Sequence, residues 1–271
     1  MKHISIVPYA GLCNRMRTIS SGIFAATHIN IPIFVYWNRT HDCFAHWLDL
    51  FQPIEIDGVK LIENTNPIYK IDSIRNLHLP KVLHKFIFDQ RLYGFSKNYG
   101  EDIISYLNKV EGEKTLIQSC CDLCDHYPVT ELFKPAKDVE DKISKIVMGF
   151  KSTTVGIHIR RSDNAQSIKS ASIDDFKRKI VYEMGHNYRT NFYLATDDVD
   201  IKYNLQKEFG DLIISPELET TRSSVSGMKD AVVDLFCLSK TRKIIGSYYS
   251  SYSDMAAELG NISLEICRNN L

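Results

Sequence analysis

Hydrophobic and polar positions follow two rhythms along this chain. Residues 3–7 are β-branched and alternate with a period of two, as a strand does. Residues 8–13 carry Gly11 and read as a turn. Over residues 14–28 the apolar positions Met16, Ile19, Ile23 and Ala26 fall on one helical face, with Asn14 placed to cap it. Residues 31–37 return to strand. Strand, loop, helix and strand in succession open a parallel α/β unit. Residues 40–135 break the rhythm, because aromatics and prolines interrupt short helical stretches, and only 115–119 stands out as a strand. The composition shifts at 128–135. That shift divides the chain into an N-terminal Rossmann-like half, 1–135, and a C-terminal one, 136–271.

The second half repeats strand and helix to its end. A charged helix is expected over 138–149, a strand over 154–159, and a helix over 173–184 with Ser172 as its cap. A strand follows at 191–195, then a helix at 201–209 closed by Gly210, and a strand at 211–215. A largely apolar helix (228–239), a strand (243–246) and a helix (251–259) ending at Gly260 complete the chain. The fold class is therefore α/β, with doubly wound parallel sheets.

Composition narrows the function. Lys plus Arg and Asp plus Glu both number 33, so no overall charge draws the chain to nucleic acid or an anionic membrane, although a local positive pocket is compatible with neutrality. Nothing approaches the ~20 apolar residues of a membrane span. No signal segment is evident, and seven cysteines, an odd and mostly scattered set, suit a reducing cytoplasm.

Candidate chemistry gathers after strands, where open parallel sheets bind ligands. Gly11, Asn14 and Arg15 follow the first strand. His158, Arg160, Arg161 and Asp163 (HIRRSD, 158–163) end the strand at 154–159. Thr196, Asp197 and Asp198 follow 191–195, and Ser250 and Ser251 follow 243–246. An arginine fork grips phosphate oxygens with two hydrogen bonds and stabilises charge on a leaving diphosphate. Asp163 could orient an arginine. The bland reading of this cluster is a salt-bridged surface loop. Ser250 and Ser251, with the amides opening the last helix, form an anion site, or they simply cap that helix, as Ser253 could. Asp234 lies on an apolar helical stretch and needs a partner. Either a salt bridge or the adjacent N1 and N2 donors of a guanine would serve. The loop GLCNRMR matches neither a dinucleotide fingerprint nor a P-loop. Asp198 and Asp200 form a D-x-D string of the kind that holds Mn in many sugar transferases, but Asp200 belongs to a helical first turn. Cys121, Cys124 and His126 lack the fourth ligand of a structural zinc site.

These residues resemble a family. HIRRSD is similar to the H-x-R-R-x-D motif of GDP-fucose-dependent fucosyltransferases, the α1,6 and nodulation enzymes in particular. LATDD at 194–198, the aspartate-bearing VDLFCLS at 233–239 and Ser250-Ser251 resemble its later motifs in order, and Gly11 to Asn14 resembles its first-half G-x-x-N loop. The resemblance implies a GT-B architecture of two Rossmann-like halves, inversion at the sugar carbon, and no metal or other cofactor. By it, Arg160 holds the β-phosphate and is most needed for turnover, and His158 and Asp234 contact guanosine. Asp197 and Asp198 line the nucleotide, Ser250 and Ser251 bind the diphosphate, and Asn14 reaches it from the first half. The donor is GDP-fucose or a related GDP-sugar, and the acceptor is a glycan or similar hydroxyl. The acceptor half lacks alignable segments, and Asp163, Asp197 and Glu217 are the candidates for a base. Two readings compete with this one: a Mn-dependent transferase using Asp198 and Asp200, and a non-catalytic GDP-sugar-binding homologue.

Overall fold

The computed structural model describes residues 2–63, 66–99, 102–110, 112–161 and 165–269. It forms two compact units. One comprises Met1–Ala136 with Arg222–Met228, and the other comprises Lys137–Thr221 with Lys229–Leu271.

In the first unit, β1 (His3–Pro8), α1 (Leu12–His28), β2 (Ile33–Trp37), α2 (Trp47–Leu50), β3 (Val59–Glu63), α3 (Leu79–Ile87), β4 (Gln90–Tyr93), α4 (Ile103–Lys109), β5 (Lys114–Ser119) and α5 (Val129–Leu132) follow in order. The sheet runs β3-β2-β1-β5-β4 and is parallel throughout. The chain therefore winds outward from β1 to one edge and then fills the other side, leaving its topological switch point between β1 and β5. α1 ends where Asn30 turns left-handed (φ 54°) and the amides of Ile29, Asn30 and Ile31 return to the carbonyls of Ala25, Thr27 and Ala26. The 40–135 segment, where the sequence shows no clear period, is pinned by aromatics. Trp37 and Trp47 meet edge to face at 5.4 Å, Phe51 and Phe133 pack beside them, and the indole N–H groups donate to the carbonyls of Ala45 and Gln52.

The second unit contains α6 (Lys137–Val147), β6 (Val155–Ile159), α7 (Ala165–Ser170), α8 (Ile173–His186), β7 (Phe192–Thr196), α9 (Val199–Phe209), β8 (Ile213–Ile214), most of α10 (Val225–Ser239), β9 (Lys243–Ser247), α11 (Ser251–Gly260) and β10 (Ser263–Cys267). Its sheet runs β10-β9-β6-β7-β8, again parallel, with the switch point between β6 and β9. Val155, Ile157, Ile159, Phe192 and Leu194 pack on Phe176, Ile180 and Leu205 to form the core.

The helix stops are chemical. Ser172 and Asp175 form a reciprocal capping box on α8, and Asp198 caps α9 by accepting from the Ile201 amide at 3.1 Å. Gly210 closes α9 in a positive-φ conformation (55°). Three expectations change. Asn14 is inside the first turn of α1, and Gly11 occupies its cap position. Gly260 does not supply the left-handed residue that ends α11. Asn261 does (φ 47°), while Gly260 is required because a Cβ there would stand 2.2 Å from the Ser239 carbonyl oxygen. The 211–215 strand shrinks to Ile213–Ile214 behind a 3-10 turn, and β10 extends the sheet where no strand was expected.

Candidate functional site

The carboxyl ends of β6 and β9 flank the second unit's switch point, and three hydrogen-bonded layers are built there. Deepest is His158, 5% exposed. Its Nδ1 lies 2.7 Å from Ser253 Oγ, and its ring packs on Tyr252 at a centroid distance of 4.8 Å. Burial, helped by the neighbouring Arg160 cation, lowers its pKa to about 4, so the ring is neutral at pH 7. Gly246 makes this fit possible, since a Cβ on it would lie 2.5 Å from Ser253 Oγ.

The middle layer crosses the switch point itself. Ser247 Oγ accepts from the Arg160 amide at 2.9 Å and donates to the His158 carbonyl at 3.3 Å. At the rim, Asp197 receives both arginines of the motif. Arg160 Nη1 is 2.9 Å from Oδ2, and the Arg161 amide donates to Oδ1 at 2.8 Å. The Asp197 carboxylate thus ties the Arg160 side chain and the Arg161 backbone together at the end of β6.

α11 begins beside this rim, after Tyr249 in a left-handed conformation (φ 54°). Ser250 is its cap residue, yet the side chain makes no capping hydrogen bond, and Ser253 is engaged by His158. Ser250 thus does not supply the side-chain acceptor that Ser172 supplies to α8 and Asp198 to α9, and a helix N-terminus favours an anion.

Asp234, on α10, receives a short hydrogen bond from the Tyr193 hydroxyl of β7. Desolvation outweighs that bond and raises the Asp234 carboxyl to about 7, with Lys202 and Lys142 pulling down and Asp230 pulling up. Tyr252 donates to the Ala231 carbonyl one turn earlier, tying α11 to α10.

Several expected site residues serve other purposes. Arg161 turns its guanidinium inward, donating to the carbonyls of Ile168 (3.2 Å) and Ala171 (2.7 Å), and so anchors the end of α7. The Asp198 carboxylate caps α9, and Thr196 Oγ1 accepts from the Asp198 amide at 3.3 Å. Asp200 is exposed in the first turn of α9. Asp163 lies outside the described residues. Glu217 is 96% exposed and pairs with Lys202.

The first unit presents its own rim at β1 and β5. Arg15 does not face it. The side chain is fully buried over the Trp37 ring and donates to the carbonyls of Ala10 and Asn38 and to Thr40 Oγ1. It thereby clamps Ala10 in a left-handed conformation (φ 64°) within the turn that the sequence placed at residues 8–13. Gly11 is nonetheless open, with one ordinary contact within 4 Å of where a Cβ would be, at 3.9 Å from Arg222. Asn14 accepts from Arg17 Nη2 at 2.6 Å. The Cys124 thiol donates to the Ser21 carbonyl, and His126 pairs with Asp122 at 3.0 Å. Among the described residues, no three His, Cys, Asp or Glu side chains gather as a metal site.

Sequence reasoning does not find Tyr252 or Tyr193, offers Ser253 only as a helix cap, and includes Ser247 and Arg17 in strand-end clusters without giving them a role. Arg17 has a signal, its i+3 spacing from Asn14 on a helix. Tyr193 has one in strand alternation, which puts it on the same face as Ala195 and opposite to Phe192 and Leu194. Ser253 owes its role to the packing of β9, which sequence spacing does not encode.

No family model matches the chain, and no curated protein matches it by sequence. Solved structures do. NodZ, an α-1,6-fucosyltransferase solved after soaking with GDP-fucose and also solved from Bradyrhizobium, superimposes with a TM-score of 0.63 at 14% identity, over 96% of this chain and 93% of NodZ. A variant of Arabidopsis thaliana FUT1 in complex with GDP gives 0.64 at 14% identity, over 98% of this chain and 70% of that one. POFUT1 in complex with GDP gives 0.54 at 8% identity, with 98% of each chain covered. The two parallel sheets and their flanking helices are the GT-B-like α/β fold of GDP-fucose-dependent fucosyltransferases.

Proposed function

We propose that this chain is a glycosyltransferase that takes fucose from GDP-fucose to a hydroxyl acceptor, with inversion and without a metal. The observation that carries this reading is Arg160, paired with Asp197 at the carboxyl end of β6, beside the start of α11, where the Ser250 side chain makes no capping hydrogen bond. It offers a fixed cation and a row of amides to one diphosphate. The fold shared with GDP- and GDP-fucose-bound enzymes supports it.

In this reading the acceptor hydroxyl oxygen bonds to the sugar carbon as that carbon's bond to the β-phosphate oxygen breaks, the electron pair departs with GDP, and the acceptor's proton passes to water. Arg160 stabilises that charge more in the transition state than in the bound donor. Ser250, Ser251 and the α11 amides hold the diphosphate. Asp234, oriented by Tyr193, accepts from guanine N1 and N2 when ionised. His158 supports α11 from below, and Asp197 positions Arg160. The D-x-D alternative is the weaker, because the Asp198 carboxylate already caps a helix. All seven cysteines are free thiols, which suits a cytoplasmic enzyme.

The test is thermal unfolding with GDP, UDP or ADP, with and without EDTA, followed by transfer and donor-hydrolysis assays with GDP-fucose. GDP at 100 times its Kd should raise Tm by about 5–10 °C, with or without EDTA. A response to UDP alone, or one abolished by EDTA, would remove this reading. GDP binding with neither transfer nor hydrolysis would identify a non-catalytic homologue.

A further inference from the structure

The first unit carries a run of outward-facing apolar side chains interspersed with exposed cations. Ile74 (81% exposed), Leu77 (86%) and Phe86 (83%) project from the loop before α3 and from the helix, with Leu79 and Val82 half-exposed beside them. A face this apolar is unusual for a surface with nothing on it. It is also rigidly presented. Ser73 and Asn76 bond reciprocally, Asn76 Nδ2 donates to the Ile71 carbonyl, and the His78 amide returns to Ser73. His78 pairs with Asp72 at 2.6 Å, and Leu77 and His78 both adopt left-handed φ (53° and 54°). The inner face of α3 is anchored by buried His84, whose Nε2–H donates to the Ile68 carbonyl and whose Nδ1 accepts from the Tyr93 hydroxyl. These apolar tips are therefore held out by the fold.

Between residues 70 and 88 the cations Lys70, Arg75, Lys81 and Lys85 face a single carboxylate, Asp72, in a chain whose total charge is zero. All four are exposed. Lys81 and Lys85 lie one helical turn apart, as do Val82 and Phe86 next to them, so an apolar stripe and a basic stripe run side by side. Long cationic side chains flanking inserted apolar ones match an anionic lipid surface, where the heads stay at the phosphate level while the stems and rings enter the acyl boundary.

We propose that α3 and the loop before it dock this protein peripherally on anionic membrane. A second copy is the poorer occupant, because a two-fold interface would set this basic patch against itself. The inference stands apart from the donor-site reading.

Co-sedimentation with phosphatidylglycerol-containing and pure phosphatidylcholine vesicles tests it. The chain should partition at least ~10-fold better onto the anionic vesicles at low salt, and lose most of that at high salt. Phe86→Asp and Leu77→Asp should each reduce partitioning about tenfold. Lys81→Glu with Lys85→Glu should abolish the anionic preference. All of these side chains are exposed, and an unchanged Tm and GDP response in each variant would show that fold and donor site are intact. Failure of the unaltered chain to bind anionic vesicles would overturn the proposal. So would binding unaffected by all these substitutions, or a Phe86-dependent dimer in sedimentation with no vesicle binding.

Discussion

The two sheets share the order of their first three strands and differ in the last two, 3-2-1-5-4 in the first unit against 3-2-1-4-5 in the second, and their switch points do opposite things with arginine. After β1, Arg15 is buried to the last atom, and its guanidinium matches two backbone carbonyls and a hydroxyl. After β6, Arg160 stays near the surface and pairs with the Asp197 carboxylate at 2.9 Å. A guanidinium donates up to five hydrogen bonds in a fixed plane. When backbone acceptors converge on that plane, the arginine is a clamp for the loop. When the guanidinium pairs with a carboxylate at a strand end, it is held near the surface, where the proposed donor site needs it. In sequence both read alike, as an arginine following a short buried strand.

The sharpest way to break this contrast is to remove each arginine and ask which property fails. Arg160→Ala should lower turnover by about 10²–10³-fold, the size expected for one preorganised donor to a developing anion. GDP affinity should fall much less. A variant with undiminished transfer would return Arg160 to the status of a surface ion pair. Arg15→Ala should cost about 3 kcal/mol of stability, because it leaves the Ala10 and Asn38 carbonyls buried without their donor and opens a void over Trp37. Its effect should be read in chemical denaturation, with the GDP response of the folded fraction preserved. Loss of GDP response at full stability would reverse the two roles.

Much of the second unit is legible in the sequence, since each of its strands but the last is a short apolar run and its helices carry recognisable ends, Ser172 and Gly210 among them. The first unit is legible only at β1, α1, β2 and β5. Its β3 and β4 are edge strands with mixed exposure, so alternation is weak there, and the 40–135 region is ordered by Trp37, Trp47, Phe51 and Phe133 meeting across the sequence. Within the candidate site, strand-end position locates Arg160, Asp197 and Ser250. It does not show which charged groups turn inward, as Arg15 and Arg161 do, or which hydroxyls are already engaged. Those outcomes depend on where backbone carbonyls happen to converge, and that is a tertiary property.

A smaller effect probes the packing beneath the rim. Gly246→Ala would put a methyl group 2.5 Å from Ser253 Oγ and force the His158–Ser253 bond apart. Overpacking of this kind costs about 1–3 kcal/mol. Because α11 is what moves, GDP affinity should fall together with Tm. Gly11→Ala meets only the Arg222 contact at 3.9 Å and should leave stability unchanged. Equal losses at the two glycines would mean that the first unit's loop is as tightly packed as the second unit's rim.

The subtlest test uses protons. The His158 pKa falls in the folded state to about 4 from an ordinary 6.5. Between those values the unfolded chain binds more protons there, so stability increases with pH and is lost as pH falls from 6.5 toward 4. The Asp234 pKa rises to about 7 from 3.8, so across an overlapping window the folded chain binds more protons, and this contribution is lost as pH increases toward 7. The two slopes oppose each other, and the unaltered protein should show little pH dependence from this pair. Asp234→Asn should uncover a stability that increases from pH 4 to 6.5. His158→Asn should uncover one that decreases from pH 4 to 7. Urea denaturation across that range, with the two variants compared with the parent chain, reads both signs. Parallel slopes in all three proteins would mean that neither group is as desolvated as its surroundings imply. Opposite slopes would show that the second rim keeps a neutral imidazole and a half-ionised carboxyl poised around neutral pH, where donor binding that requires the Asp234 carboxylate should strengthen as pH passes 7.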